Sequence, residues 1–462
     1  MEFEQSALML QVNQILQSGP NPVNHTVSAS VSVTSTNMVV TPLKVTGVDL
    51  MRNYLDSYSD ELIVELQFSG GTYLKYVYPY KNAIDITLTW TPLMEGSDAV
   101  DPNGTPTSET FTATLIDKGN DLVEQNGANS SATSDQDLTN IKSVHFQLVN
   151  KALDQMRMIS ASYGVIRSAT VDDAIKLVLT TASQATTVNG TQTVQGVTMT
   201  PSNNQTARDH IVVPHGMKLV DLPQYIQKNC GGVYSASMGY FLQGTQWHVY
   251  PALDTTRFNT TTSGTLTVIN VPQNKFPHVE RTYLQSGNSL TVMATGQVKF
   301  RDPSNAQQLN EGNGIRFADA TKFMQGGFAA VSNNSALASR GTNNSEFMAV
   351  ARPSGNNNAH LSPTRITANA LEEYSQLSRA VGSIITMEWQ NSQPSLILPG
   401  MPAEILYLAD DAITTLTGVV CGAHHVTQLR GQGISAARYN TSTVLNIFIQ
   451  PQVTPTAANS TP

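Results

Sequence analysis

The sequence predicts a mainly β protein with a few short helices, and three observations carry that expectation. Long stretches alternate apolar and polar residues with period two and are rich in Val, Ile and Thr, the pattern of half-buried strands. Examples are "TVSASVSVTSTNMVV" (26–40) and "SLTVMATGQVKF" (289–300). Only 13% of the 462 residues are charged while 40% are hydrophobic. That is enough apolar surface for a core, over a neutral surface of Ser, Thr, Asn and Gln, and it is not the signature of disorder. Clusters of Gly, Pro and Asn punctuate the apolar runs at spacings suited to turns.

Taken in order, residues 1–26 read as an N-terminal arm, in which "SALMLQVNQIL" (6–16) makes one or two amphipathic helical turns. Strands follow: the 26–40 run, "ELIVELQF" (61–68), "TYLKYVYPY" (72–80) and "AIDITLTWTPL" (83–93), with Gly70-Gly71 as the hairpin turn before the third. Residues 97–138 read as a surface excursion around one short strand, "TFTATLI" (110–116), and "SVHFQLVN" (143–150) resumes the sheet. A helix is expected over 170–183, with Thr170 as N-cap, Asp173 three residues on, and Ile175, Val178 and Leu179 at helical spacing. The polar segment 186–206 leads to a second short helix, "DLPQYIQKN" (221–229), capped by Asp221 with Pro223 in its first turn. Residues 234–254 read as a hairpin turning near Gly244. "TLTVINVP" (265–272) and the 289–300 run are strands, and 302–366 reads as loop-rich. A last helix starts at Asn369 and Glu372, a capping-box-like pair, and lines Leu371, Tyr374, Leu377 and Val381 on one face. Strands at 385–390, 403–409, 413–426 and 441–450 close the fold, and the tail 451–462 is expected to be disordered.

The charge pattern excludes several functions. The chain carries a net charge of −8 and no run of Lys and Arg, which argues against specific nucleic-acid binding. No stretch of 18 apolar residues is present for a membrane span. The opening "MEFEQ" lacks the basic and apolar regions of a signal peptide, and Cys230 and Cys421 are too few for a disulfide framework. Folding in a reducing cytoplasm is therefore expected. Asn-X-Ser/Thr triplets at Asn129, Asn204, Asn259 and Asn440 are what chance supplies in so Asn- and Thr-rich a chain.

"GVVCGAHHVTQ" (418–428) is the segment where chemistry would first be sought, with His424 and His425 adjacent and Asp410 and Asp411 upstream. On a strand, successive side chains point to opposite faces, so the two imidazoles do not converge on one metal as an HxH pair would. Asp410-Asp411 suit a hairpin turn. Glu372-Glu373 suit a helix start. "EGNGIRF" and "RGQGISA" lack the following helix that phosphate binding needs. Trp247 and Tyr250 could form a glycan platform, but aromatic residues on a strand more often belong to a core. No GxSxG, HExxH, CxxC or Walker loop is present. The reading is non-enzymatic, with no catalytic, cofactor-binding or metal residue assigned and no cofactor expected.

Several blocks together resemble the baseplate hub proteins of contractile, T4-type bacteriophage tails. They are the opening run "VTGVDLMRNYLDSYSDELIVELQFSGGTYLKYVYPYKNAIDITLTWTP" (45–92), "YGVIRSATVDDAIKLVL" (163–179), "HGMKLVDLPQYIQKNCGGVYSASMGYFLQGTQWHVYPALDTTRFN" (215–259) and the closing "LILPGMPAEILYLADDAITTLTGVVCGAHHVTQ" (396–428). The resemblance lies in order and texture and covers well over half the chain. The 97–138 and 302–366 segments match nothing in it. It implies two β-barrel domains similar to the tail-tube fold plus smaller outer α/β domains. The first barrel would span 27–204, a small helix-plus-hairpin outer domain 205–261, and the second barrel 262–450. It further implies a virion protein, assembled in the host bacterial cytoplasm, that as a homotrimer adapts a six-fold tail tube to a three-fold spike. The partners implied are a spike, a tube or tube-initiator protein and baseplate wedges, with DNA passing through the lumen unbound. Other readings are a wedge, neck or tail-terminator protein, told apart by symmetry, and a β-rich carbohydrate-binding tail protein, against which the two longer helices and the lack of repeats argue. A cell-wall hydrolase would need a convergent acid, base or nucleophile set that the spacing does not supply.

Overall fold

The computed structural model describes residues 7–17, 24–94, 97–116, 141–162, 164–187, 194–261, 263–277, 279–297, 315–319, 347–351, 382–409, 412–430 and 438–450. The expected helix near 369–381, the tail from 451, Asp410-Asp411 and most of the 302–366 segment lie outside the described residues.

The architecture is mainly β. The strands, in chain order, are β1 His25–Val33, β2 Met38–Val40, β3 Lys44–Asn53, β4 Glu61–Ser69, β5 Ile84–Pro92, β6 Thr107–Leu115, β7 Ile141–Asn150, β8 Gly164–Ala169, β9 Gly196–Met199, β10 Arg208–Val213, β11 Met238–Gln243, β12 Gln246–Pro251, β13 Thr265–Asn270, β14 Tyr283–Ser286, β15 Ser289–Gln297, β16 Ile315–Asp319, β17 Phe347–Ala351, β18 Ser383–Trp389, β19 Pro402–Ala409, β20 Ala412–Leu429 and β21 Tyr439–Ile449. The α-helices are α1 Ala7–Gln17, α2 Lys151–Arg157, α3 Val171–Gln184 and α4 Leu222–Asn229.

The second half of the chain closes into a barrel. Its hydrogen-bonded order runs β13-β15-β18-β21-β20-β19 and returns to β13. Closure removes the free edges that an open sheet would expose. Its core packs Leu266, Val268, Leu290, Trp389, Ile405 and Ile447. Trp389 is fully buried and donates its indole N–H to Thr282 Oγ1 at 2.9 Å.

The first half continues the same sheet in the order β3-β4-β7-β6-β5-β1-β2. It curls until β1 approaches β3, and the Tyr439 hydroxyl, from β21, bridges the two by donating to the carbonyls of Val27 (3.3 Å) and Val45 (2.5 Å). Alternation is strict in β4, where Leu62, Val64, Leu66 and Phe68 point inward.

A third core joins α2, α3, α4 and the β11–β12 hairpin. Residues 152–182 and 211–249 therefore bury their apolar side chains together. The hairpin turns at Gly244, whose φ of 58° lies in the left-handed region that glycine adopts at no cost. Thr170 caps α3 as expected, its Oγ1 accepting from the Asp173 N–H. Asp221 stands at the start of α4 without capping it, because its carboxylate accepts from the Tyr58 hydroxyl at 2.7 Å instead. The arm helix α1 lays Leu8, Val12 and Ile15 on Ile269, Val271, Met293 and Leu406 of the second barrel.

One expected strand is a helix. "TYLKYVYPY" forms a continuous helical excursion from Gly70 to Tyr80. Both edges of β4 are already taken, by β3 and by β7, so no hairpin partner is needed after Gly70-Gly71. Ser69 Oγ accepts from the Thr72 N–H at 3.3 Å and starts the turn. Tyr73 and Val77, four apart, then plug the end of the first core, where Tyr73 lies against Phe68.

Candidate functional site

The candidate site is the seam between the two halves of the sheet, and a single strand builds it. β20 is 18 residues long. One edge pairs with β21 from Gly418 to Leu429. The other edge pairs first with β19, up to Val419↔Pro402, and then with β3, from Gly422↔Asn53 to Gln428↔Gly47. The change of partner coincides with a register shift between Val420 and Gly422, a bulge at the point where the strand passes from the closed barrel into the curled half of the sheet. Cys421 sits at the bulge as a buried thiol outside any disulfide, 3.3 Å from the Asn446 carbonyl.

The two histidines lie on opposite faces of β20, as strand geometry requires. His424 is part-exposed and its Nε2 contacts the Asp49 carboxylate of β3. His425 is fully buried, with Nδ1 2.6 Å from Thr443 Oγ1, which is itself 2.5 Å from Ser392 Oγ. Burial lowers the His425 pKa well below its ordinary value, and the neighbouring Arg52 and His424 side chains add to the effect. His425 is therefore a neutral imidazole wedged into the seam. Among the described residues no group of three or more His, Cys, Asp or Glu side chains could hold a metal ion.

At the seam lies a cavity of ≈ 330 Å³, lined from the first half of the chain by Val48, Leu62, Trp90 and Phe111 and from the second by Tyr283 and the 391–395 loop. Three charged side chains enter it. Arg52 grips Asp60 with two hydrogen bonds, Nε to Oδ1 at 2.9 Å and Nη2 to Oδ2 at 3.1 Å. Its third nitrogen, Nη1, donates to the Pro394 carbonyl at 2.6 Å and so ties β3 to a loop of the second barrel. Burial by itself would lower the Arg52 pKa, but the Asp60 carboxylate outweighs it and holds the guanidinium above its ordinary value. Glu109 on β6 accepts from Asn150 Nδ2 at 2.8 Å. Burial, with Asp60 adding, raises its pKa to about 7. At the mouth, Arg430 and Arg438 both reach Glu280. Arg52 with Asp60, and Arg430 and Arg438 with Glu280, are paired within the chain, and the arrangement ties the two halves of the sheet together.

A second set of bonds clamps the β3–β4 hairpin to its neighbours. Tyr250 OH donates to the Tyr54 carbonyl at 2.8 Å, and Tyr58 stacks on Tyr240 with ring centroids 5.3 Å apart. Trp247 and Tyr250 are both buried, which removes them as an exposed glycan platform. Trp247 Nε1 donates to Ser183 Oγ on α3 at 3.2 Å. Asn204 spends its side-chain amide on the Gly231 and Gly232 carbonyls.

Sequence reasoning passed over Arg52, Asp60 and Glu109, although a signal was present. Each shares the phase of inward-facing residues on its strand or just before it: Val48, Leu50, Arg52; Asp60, Leu62, Val64; Glu109, Phe111, Ala113. A charge in the buried phase of an alternating strand asks for a partner.

No family model and no curated protein matches this sequence. Among solved structures, the chain is similar to the tail protein from Neisseria meningitidis MC58, at 11% identity and a TM-score of 0.46, over 92% of this chain and 96% of that one. It is also similar to the 43 kDa tail protein of prophage MuSo2 from Shewanella oneidensis, at 9% identity and a TM-score of 0.44, over 91% and 96% respectively.

Proposed function

We propose that this chain is a structural, non-enzymatic protein of a contractile bacteriophage tail, and that it serves as the baseplate hub. The observation that supports the reading is the strand β20, which belongs to both halves of one continuous sheet. Each copy thereby carries two barrel-like bodies held rigidly side by side. Three copies would present six such bodies in a ring, which could meet a six-fold tube on one side and a three-fold spike on the other. The proposed partners are a tube or tube-initiator protein, a spike and baseplate wedges. DNA would pass through the lumen, and a net charge of −8 suits a passage that does not hold phosphates. The proposed location is the virion tail, after assembly in the bacterial cytoplasm. The reading rests on the shared sheet and the sequence resemblance, not on the two structural likenesses.

Light scattering of the full chain, with and without a chelator, tests it. A stable trimer indifferent to chelator is expected. A hexamer or dodecamer would move the chain to a tube or neck position, and a chelator-sensitive mass would bring a metal into the assembly.

A further inference from the structure

The cavity at the seam holds one polar group that the chain does not use up. Glu109 Oε1 accepts from Asn150 Nδ2 at 2.8 Å, and among the described residues no donor reaches Oε2. The neighbouring charges are spent. Both Asp60 oxygens are taken by Arg52, whose Nη1 holds the Pro394 carbonyl. An enclosed carboxyl oxygen without a donor is costly, and burial raises the Glu109 pKa to about 7.

Glu109 stands beside an aromatic wall. In the β5–β6 pair it lies opposite Leu88, so Trp90, two residues on in the inward phase of Ile86 and Leu88, is its diagonal neighbour. Both line the cavity, as does Tyr283 from the other half of the chain. At ≈ 330 Å³ the cavity has the size of a small-molecule site at the lower end of its usual range.

Charge narrows the class of ligand. The described lining carries three cations, Arg52, Arg430 and Arg438, and three carboxyls, Asp60, Glu109 and Glu280. The stretches 18–23 and 431–437, which adjoin lining residues in the chain, contain no charged residue. An anion would meet the unpartnered Glu109 oxygen, and a cation would find no net negative charge to hold it. What fits is a neutral ligand with hydroxyl donors for that oxygen and a flat C–H face for the Trp90 ring, which is the chemistry of a pyranose. We propose that the seam cavity binds one neutral pyranose unit, free or at the end of a glycan, with a hydroxyl donating to Glu109 and the sugar face on Trp90. The site lies within one copy and goes beyond the hub reading, so the mass of the assembly does not bear on it.

Saturation-transfer NMR on the full chain tests it, with glucose, galactose, mannose and N-acetylglucosamine at millimolar concentration, and with maltose, lactose and chitobiose beside them. At least one sugar is expected to bind. Its affinity should fall by about tenfold or more in Trp90→Leu and in Glu109→Leu. Glu109→Gln, which still offers a hydroxyl a partner, should stay within a few-fold of wild type. Circular dichroism checks folding; if one leucine variant does not fold the other decides, and Trp90→Phe stands in if neither does. A monosaccharide that binds as well as its disaccharide identifies a free sugar, and a preferred disaccharide identifies a glycan end. Absence of sugar binding to wild type overturns the proposal, and so does binding that the folded variants leave unchanged. Binding of butylammonium with no sugar would make this a cation site and overturn it as well.

Discussion

Arg52 shows how single residues hold the two halves of the sheet together. It is buried, pairs with Asp60 and reaches the Pro394 carbonyl across the seam. Removing one partner of a buried pair strands the other's charge, which typically costs about 3–5 kcal/mol, whereas replacing both with apolar residues of similar size is often nearly neutral. Arg52→Met should therefore lower stability to urea by about that amount, and Arg52→Met with Asp60→Leu should recover most of it. Equal losses in the single and double variants would show that the Pro394 contact, not the ion pair, dominates.

Two buried groups make opposite contributions to the pH dependence. Glu109 binds its proton more tightly folded than unfolded, with a pKa raised to about 7. Stability from this group is present below the unfolded carboxylate pKa and is lost as pH rises through about 7. Glu109→Gln should thus gain on wild type between pH 5 and pH 8, by an amount on the order of 1–3 kcal/mol. His425 has a lowered pKa, so the unfolded chain binds the extra proton and stability is lost as pH falls below roughly 6.5. His425→Gln should flatten that acid limb. Chemical denaturation across pH 5–8 measures both, and a Glu109→Gln difference that does not change with pH contradicts the first.

At the scale of elements, period-two alternation made much of the sheet legible, most clearly in β1, β4, β7 and β18, because each buries one face. The hairpin at Gly244 and the Thr170 cap were legible for the same local reason: the residue type meets a backbone demand. The 72–80 segment misled because Tyr73 and Val77 satisfy a strand period and a helix period alike, and only the occupancy of both β4 edges decides between them. The partner switch of β20 was not legible, since it depends on which strands arrive from distant parts of the chain. The N-terminal arm carries its own expectation. Leu8 is fully buried between α1 and the second barrel. Leu8→Ala should cost about 2–4 kcal/mol, in the range of large-to-small core changes, read by urea unfolding. A change within a few tenths would mean that α1 does not hold to the barrel in solution.

For the whole molecule, one sheet with a closed six-stranded barrel at one end and a curled seven-stranded part at the other is the feature that matters. In the proposed hub, two barrel-like bodies in one chain would let three copies imitate six. Low charge and a Thr- and Asn-rich surface suit large permanent contacts with neighbours. The measurement that bears most directly on this is the rotational symmetry of the assembled full chain by electron microscopy. A three-copy ring with six barrel-like bodies around a central opening is expected. A ring of six or twelve copies, or three copies whose paired bodies do not alternate around the opening, would contradict it.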